Sequence, residues 1–398
     1  MSKGTIIYIG NFRFPDGNAA AKLALTYGKI FSELGYRVVF IGADERKPIH
    51  RKGVQGSVQG HDVWTFGSSL EFSKRLRRFF SIQSIISVIM KYEDVKFVVC
   101  YNFRAIPFLR LISYCRKKGI KVLSNTTEWY GNIDKSISYD FYRYIDTTLR
   151  MRVANRFVDG LIVTSSYLKE FYSKSDIVVV PSLSDVQENN TTVDIRSSQK
   201  VQLVYAGNPF NLGKRIKDRS TIKDRLDKAI RYLYYLSVEG YDFQFDIYGL
   251  TRQQYLVALP EDHTLFDELN DKVFFHGFVS GAEIYSAIAS ADFTLLIRDI
   301  NRVTLAGFPT KIAESINLGV PVLTTRIGDM NDYILEGKMG FLLDPNDDPY
   351  NMSTLKRVLA MNHQEIDLMK RCCRETTVFK HRNWSPQVEK FLDRLLMV

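Results

Sequence analysis

Most of the signatures that fix a function at a glance are missing from this chain. Its 398 residues include four cysteines, Cys100, Cys115, Cys372 and Cys373, and none has the spacing of a zinc or thioredoxin-like site. The adjacent Cys372 and Cys373 fit reduced structural thiols in a cytosolic setting. No G-x-G-x-x-G follows the first strand, which removes the dinucleotide fingerprint. No D-x-D occurs anywhere, so a metal-bridged diphosphate is not expected and no metal site is assigned. No apolar run reaches the ~18 residues of a membrane span, and MSKGTIIYIGNF enters a strand with no signal-peptide core. These absences lead us to expect a cytoplasmic protein, or one peripheral to the inner face of the cell membrane. Aromatic-interleaved basic strands are absent as well, so nucleic acid is not an expected partner.

What is present is enough apolar residue, 45%, for two domains of about 150 to 200 residues. The net charge is +10 and lies in one half. Residues 1–190 hold 28 Lys and Arg against 17 Asp and Glu, a net +11, whereas residues 191–398 hold 26 against 27, a net −1. A basic first half can meet an anionic lipid surface.

The chain opens with a strand (Thr5 to Gly10), the loop NFRFPDGN, a helical pattern from Ala19 to Leu34 stopped by Gly35, and a strand (Arg37 to Ile41). Gly17 and Asn18 stand at the helix start, where they form either a plain capped turn or a hold for an anion or sugar hydroxyl. Glu45 to Gly60 reads as a polar excursion. In Glu71 to Met90 the run KRLRRFF (Lys74 to Phe80) gives an amphipathic helix a cationic end, suited to an anionic membrane surface or to solvent. Strands at Lys96–Tyr101 and Lys121–Ser124 follow, the second leading into NTTEWYG with Glu128 at its carboxyl end. A helix at Leu149–Asp159 and a strand at Ile177–Val180 complete the first half. DVQENNTTVDIRSSQK, from Asp185 to Lys200, has almost no core-forming residue and reads as an interdomain linker.

The pattern then restarts. Strands are expected at Val201–Ala206, closed by Gly207, at Phe243–Tyr248 and at Val273–Phe275, followed by HGFVS. After Gly207 comes a basic insertion, GKRIKDRSTIKDRLD, in which KDRLD fits a helix start. Lys223 stands at that start, with Lys214, Arg215 and Lys217 before it as further cations that could meet a phosphate. His276 lacks a second ligand at metal spacing and reads as structural. A helix from Ala282 to Ser290 leads to the stretch from Phe293 to Asp329, on which the reading turns. An apolar strand (Phe293 to Ile297) ends in a polar loop, a helix starts at Thr310, and Gly319 stops it before a strand from Val320 to Thr324. Arg298, Arg302, Gly307, Lys311 and Glu314 gather at the carboxyl end of that strand, where open α/β sheets bind ligands. Cations and helix N–H groups suit phosphate, and a carboxylate suits paired hydroxyls.

The run AGFPTKIAESINLGVPVLTT, with RFVDGLIVTSSYL in the first half, resembles glycosyltransferases of the GT-B fold, family 4. The resemblance implies an α/β protein of two Rossmann-like domains facing a cleft, residues 1–185 plus about 375–398 on the acceptor side and 200–374 on the donor side, linked by about 186–199. It implies a final helix that crosses back to the first domain. It also implies a retaining, metal-independent transfer of a sugar from a nucleotide diphosphate donor, UDP-linked, to a saccharide or lipid-linked saccharide, as in bacterial surface polysaccharide synthesis. No cofactor is expected. Carried onto this sequence, Arg298, Lys223 and Glu128 are the catalytic candidates. Glu314 is expected on the ribose, and Lys311, Thr310, Gly307, Phe308 and Gly207 along the diphosphate and sugar. Gly277 and Phe278 are expected near the base, and Gly17 and Asn18 on the cleft loop. The family's first glutamate is replaced by Ala306. A sugar-nucleotide epimerase or a non-catalytic nucleotide-binding subunit is the alternative.

Overall fold

The computed structural model describes residues 2–15, 17–44, 53–67, 82–129, 139–184 and 200–397. The chain divides into two compact units. One comprises Met1–Asp185, Ala306–Phe308 and Lys380–Val398; the other comprises Val186–Leu305 and Pro309–Phe379. The expected linker at 186–199 and the cationic run Lys74–Phe80 lie outside the described residues.

The first unit is built on strands β1 (Thr5–Ile9), β2 (Arg37–Asp44), β3 (Val54–Val58), β4 (His61–Gly67), β5 (Val95–Tyr101), β6 (Lys121–Thr126), β7 (Gly160–Val163) and β8 (Ile177–Val179). Their order across the sheet is β3-β4-β2-β1-β5-β6-β7-β8. Every pairing is parallel except β3 with β4. β1 and β7 are buried along their whole length, as strands covered on both faces must be, and this is why they read as unbroken apolar runs. The polar excursion expected at Glu45–Gly60 instead contains β3. Its side chains face solvent at the sheet edge, so it carries no apolar alternation to betray a strand.

Helix Ala19–Glu33 follows β1. It is capped by Asn18 and ends before Gly35, whose φ of +91° suits glycine. The helix expected at Leu149–Asp159 lies earlier, at Tyr139–Arg152, followed by a 3₁₀ turn at Ala154–Arg156. The last helix, Ser385–Met397, turns Val388, Phe391, Leu392 and Leu395 inward, an i, i+3, i+4, i+7 face, and packs on β8 and on helix Ala19–Glu33. The far end of the chain, from Lys380, therefore belongs to the first unit.

The second unit holds β9 (Val201–Ala206), β10 (Phe243–Tyr248), β11 (Val273–Gly277), β12 (Phe293–Leu296), β13 (Val322–Thr325) and β14 (Gly340–Leu343). Their order is β11-β10-β9-β12-β13-β14, all parallel. This is the doubly wound 3-2-1-4-5-6 order, and it reverses between β9 and β12. The loop after β12 is not wholly irregular, as expected, but contains a short helix, Arg302–Ala306. Asn301 nucleates it by accepting from the backbone N–H of Val303 and Thr304 at 2.9 and 3.1 Å. All four cysteines are free thiols. Among the described residues, no helix is long and apolar enough to cross a membrane.

Candidate active site

In the second unit the polar residues gather where the strand order reverses. Gly207 leaves β9 with φ +145°, and a Cβ there would stand 2.5 Å from Lys311 Cε. Only glycine lets the lysine cross the end of β9 so closely. Lys311 is the second residue of helix Thr310–Asn317, whose N-cap, Pro309, supplies no side-chain cap. Its Nζ pairs with Asp224 and lies 5.1 Å from the centre of the Tyr205 ring.

Arg298 leaves β12 two residues after its last paired residue. Its backbone N–H donates to Thr325 Oγ1 at 2.8 Å, and its guanidinium donates through Nε to Asp224 Oδ1, also at 2.8 Å. Tyr205 donates its hydroxyl to the other Asp224 oxygen at 3.1 Å. One buried carboxylate thus takes two cations and a phenol.

The basic insertion delivers that carboxylate. Its helix begins at Leu226, and just before it the Arg225 N–H donates to Ile297 O at 2.7 Å, tying the segment to the end of β12. The Arg225 side chain grips Asp227 through Nε and Nη2, each at 2.8 Å, and pairs with Asp299. Lys228 reaches the same Asp299 at 2.8 Å. Arg219 bonds Asp262 at 2.8 and 3.0 Å. Arg219 and Arg225 of the insertion are therefore neutralised, by Asp227 within it and by Asp262 and Asp299 outside it. Lys214, Arg215 and Lys217 are exposed, and Arg215 pairs with Glu261. Lys223, beside Asp224 in sequence, adds its charge to both Asp224 and Lys311.

Burial alone would raise the Asp224 carboxyl, but Arg298 and Lys311 hold it well below the ordinary carboxylate range. Burial lowers the Lys311 ammonium from its usual value, with Asp224 opposing and Arg298 reinforcing the shift. Two cations on one anion leave the cluster with a net positive charge beside a helix N-terminus, an arrangement suited to phosphate. One turn along that helix, Glu314 accepts from the Tyr285 hydroxyl at 3.3 Å.

Residues 219–360 match the family model of glycosyl transferases group 1. That segment resembles the glycosyl transferases, and the chain as a whole has the GT-B fold. Sucrose-phosphate synthase from Thermosynechococcus elongatus aligns over 99% of this chain and 100% of its own at 15% identity, with a TM-score of 0.68. The catalytic domain of starch synthase IV from Arabidopsis thaliana, bound to ADP and acarbose, aligns over 100% of both chains at 12% identity, with a TM-score of 0.69. Anabaena HepE in complex with UDP aligns over 98% of this chain and 100% of its own at 12% identity, with a TM-score of 0.63. At such identities these likenesses establish the fold. No curated protein sequence matches the chain.

The remaining expected residues lie as follows. Gly277 closes β11 and accepts the Gly249 N–H at 2.7 Å, and Phe278 beyond it is 89% exposed. Phe308 is buried, and its carbonyl accepts the Ser182 hydroxyl at 2.7 Å. Ala306 is fully buried in a cluster with Trp129, Met151 and Tyr172, and its carbonyl accepts from Thr164 and Ser165. A glutamate side chain there would displace apolar packing. In the first unit, Asn18 is a helix cap. Its Oδ1 accepts from Ala21 and Arg13 N–H and its amide donates to Asn11 O, so the capped-turn alternative accounts for all the bonds it shows. Gly17 donates its N–H to Arg13 O at 2.8 Å within the same loop. Glu128 lies half-buried two residues past β6. Burial, with the charge of Glu128 added, pushes the Tyr101 hydroxyl up to about 12. His276 bonds Asp246 at 2.6 Å and stacks on Tyr248 at 4.4 Å, a structural role.

Sequence reasoning missed Asp224 and Tyr285. The one sequence signal for Asp224 was an acid placed directly beside the phosphate candidate inside an otherwise basic insertion.

Proposed function

We propose that this chain is a retaining glycosyltransferase, independent of metal, that moves a sugar from a UDP-linked donor to a saccharide or lipid-linked saccharide in bacterial surface polysaccharide synthesis. The observation that carries the reading is the Arg298 and Lys311 pair, held on Asp224 at the strand-order reversal beside an uncapped helix N-terminus.

When the bond between the anomeric carbon and the diphosphate oxygen breaks, negative charge grows on the leaving group while the sugar becomes oxocarbenium-like. Arg298, Lys311 and the helix N–H groups at Thr310 then gain attraction that the ground state lacks. One such contact is worth roughly 3 to 4 kcal/mol of barrier. Asp224 keeps the two cations aimed before the donor arrives, and Lys223 adds to the field. Glu314, steadied by Tyr285, takes the ribose hydroxyls. With Ala306 buried, contacts to the donor sugar fall to the backbone at Gly307 and Phe308, and the acceptor hydroxyl falls to Glu128.

A UDP donor is supported by Anabaena HepE, whose solved complexes include UDP and UDP-glucose. A membrane-proximal acceptor is supported by the +11 charge of residues 1–190.

Thermal shift across a panel of nucleotide sugars tests the donor, because a ligand at 100 times its dissociation constant adds about 2.7 kcal/mol. No shift with any of them would sink the reading. Product analysis of the donor that binds then separates transfer with retained anomeric configuration from epimerisation of donor alone, and from binding without turnover. Failure to sediment with anionic vesicles at low salt removes the membrane-surface part.

A further inference from the structure

The first unit has its own reversal of strand order, between β1 and β5, and the loops leaving β5 and β6 beside it hold a polar cluster that the donor chemistry does not use. Arg150, near the end of helix Tyr139–Arg152, is 5% exposed. Its Nη1 donates to Asn102 O at 2.8 Å, while its buried Nε has no hydrogen-bond partner among the described residues. It forms no ion pair among the described residues. Asp146, one helical turn earlier, accepts the Ala105 N–H at 3.0 Å and acts on Arg150 through the field, as does Glu128.

Asn102 directly follows β5 with φ +43°, a left-handed conformation that asparagine tolerates better than most residues. Its amide nitrogen donates to Thr127 Oγ1 at 3.2 Å, and its buried Oδ1 also lacks a partner among the described residues. Thr127 in turn donates to the Tyr101 hydroxyl at 3.2 Å. Glu128, half-buried, is next in the chain. A guanidinium that only pinned the β5 loop would satisfy Nε on a carbonyl or a carboxylate. Buried polar groups left unmade are costly and point to a ligand.

We propose that Arg150 and Asn102 form an acceptor subsite for a sugar that carries an anionic group beside a hydroxyl. The anion, a carboxylate or a phosphate, meets Arg150 Nε, where a guanidinium binds planar oxyanions well. The neighbouring hydroxyl donates to Asn102 Oδ1, and a further hydroxyl reaches Glu128. The inference rests on the reading of the first unit as the acceptor side. It adds the class of acceptor, an acidic sugar, and two residues that read it.

Ligand-observed NMR on the full chain tests this with glucuronate, glucose 6-phosphate and glucose as probes. The expected result is that at least one charged sugar binds about tenfold more tightly than glucose, and which one does so identifies carboxylate or phosphate. Arg150→Gln removes that preference, Arg150→Lys keeps part of it, and Asn102→Gly, which suits the backbone at that position, weakens the charged probe. If Arg150→Gln does not fold, Asn102→Gly decides alone. The proposal is overturned if glucose binds as well as both anions, if no probe binds the wild type, or if a folded variant binds the charged sugar undiminished. Nucleotide-sugar thermal shift on the same proteins reports the donor side separately. A missing donor shift with intact Arg150-dependent sugar binding counts against the transferase mechanism and not against the subsite.

Discussion

Asp224 and Arg298 lie 74 positions apart in sequence, yet the Arg298 guanidinium donates to the Asp224 carboxylate at 2.8 Å in the interior of the second unit. Lys311 closes on the same carboxylate from a third element. Removing one partner of a buried ion pair leaves an uncompensated charge and costs about 3 to 5 kcal/mol. Asp224→Asn should lower the urea midpoint of the second unit accordingly.

The same carboxylate carries a pH signature. Its folded pKa is depressed below the unfolded value of about 3.9. Its contribution is therefore fully present above that value and is lost as pH falls through the folded pKa. The stability gap between wild type and Asp224→Asn should be flat from neutral pH down to about pH 5 and narrow only on stronger acidification. A gap that closes near pH 7 would mean that another group sets it.

Glu314→Ala should raise the donor dissociation constant at least about tenfold, on the order of 1.4 kcal/mol, as read by titration calorimetry. Tyr285→Phe removes the 3.3 Å bond that steadies Glu314 and leaves the carboxylate itself, so the rise should be smaller. Unchanged binding in a folded Glu314→Ala protein would place Glu314 outside the site.

Gly207→Ala introduces a Cβ 2.5 Å from Lys311 Cε at a φ of +145°. The lysine tip can swing away, but then it leaves Asp224 and the end of β9. Donor affinity should fall by about tenfold or more, a larger effect than the change in melting temperature suggests. A variant that binds donor normally would show that Lys311 need not cross Gly207.

Asn18→Ala should cost about 0.5 to 2 kcal/mol through loss of the helix cap while leaving the donor dissociation constant unchanged. Chemical denaturation and donor titration on the same preparation separate the two. A drop in donor affinity at unchanged stability would return Asn18 to the ligand.

Much of the second unit was legible in sequence. Val201–Ala206 and Phe243–Tyr248 are strands as read, because buried parallel strands are unbroken apolar runs closed by glycine. Gly319 ends helix Thr310–Asn317 with φ +75°, as its position implied. What escaped were elements without a periodic signal. The edge strand β3 is exposed at four of its five residues, and the five-residue helix Arg302–Ala306 depends on Asn301 rather than on amphipathicity.

The sequence by itself determined the two-domain α/β character, the group 1 segment and the residue types around Arg298, Lys311 and Glu314, since periodicity, glycine punctuation and local motif are one-dimensional properties. Only the tertiary structure decided that Asp224 takes both cations, that Arg219 and Arg225 are neutralised by Asp262, Asp227 and Asp299, and that Ala306 is a packed core residue. Charge pairing and burial depend on distances in space between residues far apart in the chain, and no local pattern encodes those distances.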